Sequence, residues 1–314
     1  MPPAAVLAYL PSPPTSGISI GPIRLHFYGV MIALGIGAAV WLAQRRWGQR
    51  GGAPGTMSRL ALWGVPAGLV GARIYSVVTS WQQDVGNHWY RIFEIWQGGL
   101  GIWGGVATGV AAGLLAARHY HLDWRAALDC AAPGLALAQA IGRWGNYFNQ
   151  ELYGRPSGLP WAVRIDNPQS CTSVTDCHAV VGATTFQPTF LYESLWDLAC
   201  VGLILAAERR LRIRKGYLVA VYAALYTVGR FWTEKLRIDE AHRYLGLRLN
   251  DWVSIGVFVV AVAVLLTRGR AREEVGERDL PVSAETLVGA STPAAPGGPG
   301  CSGGPVNDPE GPSP

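Results

Sequence analysis

The stretch of the chain richest in groups that can do chemistry is Gln139-Ala-Ile-Gly-Arg-Trp-Gly-Asn-Tyr-Phe-Asn-Gln-Glu-Leu-Tyr-Gly-Arg-Pro156. It sets Arg143, Asn146, Asn149, Glu151 and Arg155 where a long apolar run ends. A planar guanidinium donates paired hydrogen bonds to a phosphate and stays charged when water is removed. On a helix Arg143 and Asn146 share a face. A lone arginine there would read as snorkelling to lipid headgroups. Accompanied by two amides, a carboxylate and three glycines, it reads as an anion site. A second cluster, Gly229-Arg-Phe-Trp-Thr-Glu-Lys-Leu-Arg237, ends another apolar run. Arg230 and Glu234 can pair along one helical face, a contact worth on the order of 0.3 kcal/mol if it is only that. So much charge beside hydrocarbon is costly, and by default functional.

Further candidates are weaker. Gln97–Gly109 is dense in glycine, including Gly104 and Gly105. These glycines either let a neighbouring helix approach closely or offer a backbone cradle to an anionic headgroup. Tyr28, in Leu25-His-Phe-Tyr-Gly29, is either a belt aromatic or part of the site. Gln187-Pro-Thr-Phe-Leu-Tyr-Glu193 opens a further apolar run. Arg73 lies inside such a run and needs a partner; Glu193 and Asp129 are both candidates.

Composition identifies the elements that must hold these groups. Of 314 residues half are apolar and only 15% are charged, against about 25% in a soluble domain. A disordered chain, a disulfide scaffold and a collagen-like chain are excluded. Apolar runs cover 25–44, 60–83, 95–117, 126–142, 189–207, 216–233 and 252–267. About 20 helical residues cross a bilayer core. The expected fold is an all-α polytopic membrane protein with about seven transmembrane helices. A polar extracytoplasmic segment, 143–188, separates spans four and five. Arg45, Arg46, Arg50 and Arg59 follow the first run, and Arg118 and Arg125 the third. Arg209, Arg210, Arg212, Arg214 and Lys215 follow the fifth, and Arg268, Arg270 and Arg272 the seventh. Arg91 stands alone after the second. Basic loops face the cytoplasm, so residues 1–24 are expected outside and the Pro/Gly-rich tail 268–314 in the cytoplasm, disordered. The catalytic body is then 25–267. Met1–Gly21 lacks the basic start of a cleavable leader. Arg143, Arg155, Arg164, Arg230, Arg237 and Arg243 fall on the outer side against this rule, which marks them as kept for chemistry.

The net charge of +5 follows from topology rather than from a nucleic-acid partner. No cysteine–histidine cluster has metal-binding spacing. Cys171 and Cys177 share a polar loop and could close a small disulfide in an oxidising compartment. A transporter or channel, with Arg73 and Asp129 lining a path, is the rival reading. The lack of an internal repeat and the gathering of charge towards one face speak against it. No Gly-x-Ser-x-Gly or His-Glu-x-x-His motif marks a hydrolase.

In chain order, His-x-Tyr-Gly, Gly-Ala-Arg-x-Tyr, Gly-Gly-Leu-x-Ile-x-Gly-Gly, Gly-Arg-x-Gly-Asn-x-x-Asn-x-Glu-x-Tyr-Gly-Arg-Pro, Pro-Thr-x-Leu-Tyr-Glu and Gly-Arg-Phe resemble the motifs of prolipoprotein diacylglyceryl transferases. The resemblance runs from about residue 20 to 267. It implies a seven-span enzyme of the bacterial cell membrane. Such an enzyme moves the diacylglyceryl group of phosphatidylglycerol to the lipobox cysteine thiol of a prolipoprotein and releases glycerol phosphate. It further implies phosphate-binding arginines at Arg143 and Arg230, and essential positions at Tyr28, Asn146, Glu151, Gly154 and Glu234. Asn149, Gly104, Gly105 and Arg73 complete the expected substrate-binding set. The implied partners are phosphatidylglycerol, the lipobox peptide and membrane lipids, with no metal, cofactor or nucleic acid; a monomer is the default.

The family often carries histidine where this chain has Trp103 and Gln187, so neither position supplies an imidazole base. A nearby arginine field favours thiolate, and Glu151, Glu234 or His26 are candidate proton acceptors. Trp103 is then structural. Reconstituted Trp103→Phe enzyme should keep wild-type turnover of a lipobox peptide by mass spectrometry, and its loss in a folded protein would give the indole a chemical role.

Overall fold

The computed structural model describes residues 9–21, 23–81, 86, 88–93, 99–166, 184–238 and 243–269. Residues 1–8, Cys171, Cys177 and the tail from 270 onward lie outside them. Among the described residues the chain is mostly helical: α1 (Phe27–Gln49), α2 (Thr56–Thr79), α3 (Ile102–His119), α4 (Trp124–Gly142), α5 (Trp144–Asn149), α6 (Thr189–Arg210), α7 (Leu218–Leu236) and α8 (Leu249–Thr267). Three small antiparallel ladders join β1 (Gly17–Ile20) to β2 (Ile23–His26), β3 (Val163–Arg164) to β4 (Thr185–Phe186), and β5 (Arg243–Tyr244) to β6 (Leu247–Arg248).

Each apolar run contains a long helix, of 18 to 24 residues. At 1.5 Å per residue these are about 27 to 36 Å long. Four of them, α1, α2, α6 and α8, are both long and apolar enough to cross a membrane. The other three carry groups that face neighbouring helices instead of lipid: the glycines of α3, Asp129 of α4, and Arg230 and Glu234 of α7. On the outside of the bundle Leu62 and Val78 are 74% and 75% exposed. Leu115, Val260 and Trp41 join them. So much outward apolar surface is a liability in water and the expected coat in lipid.

Most helix ends differ from the run edges by a few residues, and two of them show why. The third helix begins at Ile102 rather than 95, after Gly99 takes φ +65°, which a right-handed helix cannot accommodate. The sixth continues to Leu236, because Thr233 and Glu234 are buried against partners instead of meeting solvent.

Small residues set the closest helix contacts. A Cβ on Gly134 of α4 would stand 2.8 Å from the Ala39 carbonyl oxygen of α1. One on Gly104 of α3 would stand 2.2 Å from the Gly71 oxygen of α2. With no hydrophobic effect between helices in lipid, such backbone proximity supplies the van der Waals contact that joins them.

At one end of the bundle, charged groups tie the helix ends together. Arg46 of α1, almost fully buried, donates to both Glu208 oxygens of α6, at 2.9 and 3.0 Å. It also donates to the Asp129 carbonyl at 3.1 Å, and Arg50 bonds to the same Glu208. The Asp129 carboxylate accepts from the Gly216 and Leu218 N–H groups at 2.7 and 3.0 Å, anchoring the start of α7. Asp123 caps α4 through the N–H groups of Arg125 and Ala126 and pairs with Lys215 at 2.6 Å. Burial pushes the Asp123 carboxyl up, but Lys215 and the two backbone donors outweigh it and hold it below the ordinary carboxylate range.

Breaking a buried pair from one side strands the other charge. Glu208→Ala should therefore lower the unfolding free energy in detergent by about 2 kcal/mol. Arg164→Ala, which removes a pair whose two side chains are half exposed, should leave the melting midpoint unchanged.

Candidate active site

The other end of the bundle brings the chemical motifs together. Arg143 is shared: it ends α4, donating its N–H to the Gln139 carbonyl at 3.0 Å, and it begins α5. The six residues of α5 stop at Gln150, whose φ is +52°, and Leu152 follows at +58°. Two non-glycine residues in this region cost on the order of 1 kcal/mol each, so the turn must be held by its contacts. The Asn146 side chain donates to Glu151 Oε1 at 2.9 Å and Asn149 donates to the same oxygen at 3.4 Å. The Glu151 N–H in turn bonds the Asn146 carbonyl at 3.1 Å. The spacing Asn-x-x-Asn-x-Glu is thus the covalent requirement of one hook.

Gly154 threads the chain between two helices. Its N–H donates to the Gln187 carbonyl at 2.9 Å and it forms an antiparallel bridge with Arg237. A Cβ here would lie 3.0 Å from both Gln187 Cβ and the Leu236 carbonyl oxygen. Beneath the hook lies a small apolar core of Tyr153, Val163, Ile165, Phe186 and Phe190. Tyr28, at the start of α1, packs against Gly145, where a Cβ would meet its ring at 2.5 Å.

The charged centre spans three elements. Glu193, 7% exposed on α6, puts Oε2 2.9 Å from Arg143 and Oε1 3.0 Å from Arg230 of α7. Arg230 extends its second nitrogen to Glu234 Oε2 at 2.6 Å, so the intrahelical pair expected from the spacing forms inside a larger network. Glu234, fully buried, also meets Arg248 at 3.1 Å and accepts from Asn250 at 3.1 Å. Arg237 stands 3.9 Å away. Four guanidinium groups therefore face two carboxylates, Glu193 and Glu234. A small cavity of about 10 Å³ lies at this centre, lined by Arg143, Glu193, Asp197, Tyr226, Arg230 and Thr233 among others. A guanidinium carries five N–H donors, so Arg143, held by one carboxylate, and Arg230, held by two through one nitrogen each, have more donors than these pairs use.

Other expected site residues lie elsewhere. Arg73 pairs with neither Glu193 nor Asp129. It donates to the carbonyls of Ile92 and Gly99, each at 3.0 Å, and of Arg91. Backbone carbonyls satisfy a buried guanidinium as carboxylates do, and the local segment supplies them. Gly104 and Gly105 stand against α2 at Gly71, Gly68 and Ala72, where the approaching backbone is that of a helix. Asp129 is engaged by the start of α7, so it and Arg73 line no common path. Asn149 and His26 are exposed, as is Trp103 at 54%. The Gln187 backbone bonds Gly154 and Arg155. Among the described residues no three His, Cys, Asp or Glu side chains could hold a metal ion. The bridging role of Glu193, and the presence of Asp197, Arg248 and Asn250, are absent from the motif reading. Two carboxylates a helical turn apart inside an apolar run, Glu193 and Asp197, were the available signal.

Fold and site together define a multi-pass helical membrane protein with a buried arginine–carboxylate centre at one end of its bundle. The family model for prolipoprotein diacylglyceryl transferase matches residues 16–267. The chain is 50% identical over 262 residues to phosphatidylglycerol–prolipoprotein diacylglyceryl transferase 2 of Streptomyces coelicolor, covering 83% of this chain and 81% of that one. It is 46% identical over 278 residues to the Streptomyces griseus enzyme, covering 87% and 82%. With the Bifidobacterium adolescentis enzyme it shares 43% over 286 residues, covering 87% and 84%. The chain belongs to the prolipoprotein diacylglyceryl transferase family.

Removing Glu193 leaves two guanidinium groups confronting each other in low dielectric. Glu193→Ala should cost about 3 kcal/mol of stability, read as a lowered denaturation midpoint in detergent; an unchanged midpoint would show that the bridge does not hold the three elements.

Proposed function

We propose that this chain transfers the diacylglyceryl group of phosphatidylglycerol to the lipobox cysteine thiol of prolipoproteins, the first step of lipoprotein maturation. The observation that carries the reading is the pair Arg143 and Arg230, held by Glu193 at 2.9 and 3.0 Å beside one small cavity, in a chain of this family. The reaction displaces a phosphate ester from a glyceryl carbon. Negative charge grows on the departing phosphate, and fixed positive charge aimed at it stabilises the transition state more than any other device open to the protein. Arg143 and Arg230 fill that role. Glu234, with Arg248 and Asn250, holds Arg230 in place from α7 and α8. Asn146 and Glu151 shape the hook on which Arg143 sits, Tyr28 backs that hook from α1, and Gly154 lets it pass between α6 and α7.

The same reading makes all seven long helices transmembrane, with the site end extracytoplasmic. The opposite end carries Arg46, Arg50, Arg118 and Lys215, the basic excess expected on the cytoplasmic side. The N-terminus is then outside and the C-terminus in the cytoplasm. The working unit is taken to be a monomer.

Full-length protein in phosphatidylglycerol vesicles should add one diacylglyceryl mass to a lipobox peptide. Arg143→Ala and Arg230→Ala should each lower that turnover by about 100-fold or more. Full activity in either variant would remove that arginine from the mechanism.

A further inference from the structure

Asp197 lies one helical turn beyond Glu193 on α6 and lines the same cavity. It is 3% exposed, and its Oδ2 is buried with no hydrogen-bond partner among the described residues. Buried polar atoms are almost always paired, and an orphan calls for an explanation. This one belongs to a residue that lines the small cavity beside Arg143 and Arg230.

The remaining carboxylates near the site are each held by an ion pair or a side-chain hydrogen bond, although Glu234 Oε2 and Asp251 Oδ1 also lack a hydrogen-bond partner among the described residues. Glu193 is shared by Arg143 and Arg230; Glu234 is held by Arg230, Arg248 and Asn250; Glu151 accepts from Asn146 and Asn149. His26 is exposed at the start of α1, and Trp103 and Gln187 carry no base. The titratable groups facing Asp197 come from three directions. Arg143 reaches it from the α4–α5 junction, Glu193 and Cys200 lie on its own helix, and Arg230, Tyr226 and Tyr222 belong to α7. The Tyr222 hydroxyl already donates to Gln139 at 2.8 Å. An acceptor with a free oxygen beside two phosphate-binding arginines is what a thiol needs before it attacks.

The geometry points to Asp197 as the catalytic base that accepts the proton of the attacking thiol, an assignment that rests on the transferase reading above. The S–H proton passes to Asp197 Oδ2, and the sulfur lone pair attacks the glyceryl carbon bonded to the phosphate oxygen. The S–C bond forms as the C–O bond breaks, and that electron pair leaves on the phosphate held by Arg143 and Arg230. Asp197 then returns its proton to water, which restores the carboxylate.

The test uses full-length wild type, Asp197→Asn and Asp197→Glu in phosphatidylglycerol proteoliposomes, with lipobox peptides carrying either cysteine or selenocysteine. Asp197→Asn should lose about 100-fold or more of the cysteine rate near pH 6.5. The deficit should shrink as the pH passes the ordinary thiol pKa of about 8.5, because thiolate then forms unaided. The selenol, far more acidic, should restore the Asn variant at the lower pH, and Asp197→Glu should retain most of the activity. A wild-type cysteine rate in Asp197→Asn overturns the assignment. So does a deficit equal at every pH and with both peptides, which an unfolded or merely structural variant would give. Either result beside an active wild type leaves the transferase reading intact. A wild type that adds no diacylglyceryl group to the peptide sinks that reading, and the assignment with it.

Discussion

The structure depends on one carboxylate, Glu193, holding two guanidinium groups that would otherwise repel. Each of the three charges is costly to remove from water, and their mutual attraction offsets that cost only if the geometry is kept. The geometry is kept by elements distant in sequence. Arg143 comes from the break between α4 and α5, Glu193 from α6, and Arg230 from α7. The bridge therefore ties three helices at one end of the bundle. It also sets both guanidinium groups on the lining of one small cavity.

Much of the remaining architecture makes that bridge possible. At the opposite end, Arg46, Glu208 and Asp129 join α1, α4, α6 and the start of α7. Those helices then cannot slide and separate the charged side chains. The hook after α5 holds a strained turn with two amides and a carboxylate, so Arg143 leaves its helix in a defined direction. Gly154 is confined between Gln187 and Leu236, and a side chain there would push apart the two helices that carry Glu193 and Arg230. Close glycine and alanine contacts do the same work deeper in the bundle, where no hydrophobic effect is available to press helices together.

Positions and types of the long helices were legible in the amino-acid sequence, because hydropathy over about 20 residues is a local property. Their edges were less so. Gly99, in a left-handed conformation, delays α3, and Glu234 extends α7 because partners from α8 make its burial tolerable. Among the candidate site groups, Arg143, Arg230 and Glu234 stood out by charge against an apolar background, and the pairing of Arg230 with Glu234 follows from four-residue spacing. The glycines at 104 and 105 admitted two readings, and contact with α2 is visible only in three dimensions. Arg73 showed the limit most plainly. A buried cation announces that it needs a partner, but backbone carbonyls from Arg91, Ile92 and Gly99 leave no compositional trace.

The sequence by itself determined that this is a helical membrane chain, which residues are candidates for its chemistry, and which family it resembles, since composition, periodicity and motif order need no folding to be read. Only the tertiary structure decided that Glu193 joins the two arginines, that Glu234 is shared among Arg230, Arg248 and Asn250, and that Asp197 lines the same cavity with an oxygen to spare. The physical reason is separation along the chain. An ion pair between residues 143 and 193, or 193 and 230, depends on helix packing and crossing geometry. Those are properties of several helices at once, and no window of sequence contains them.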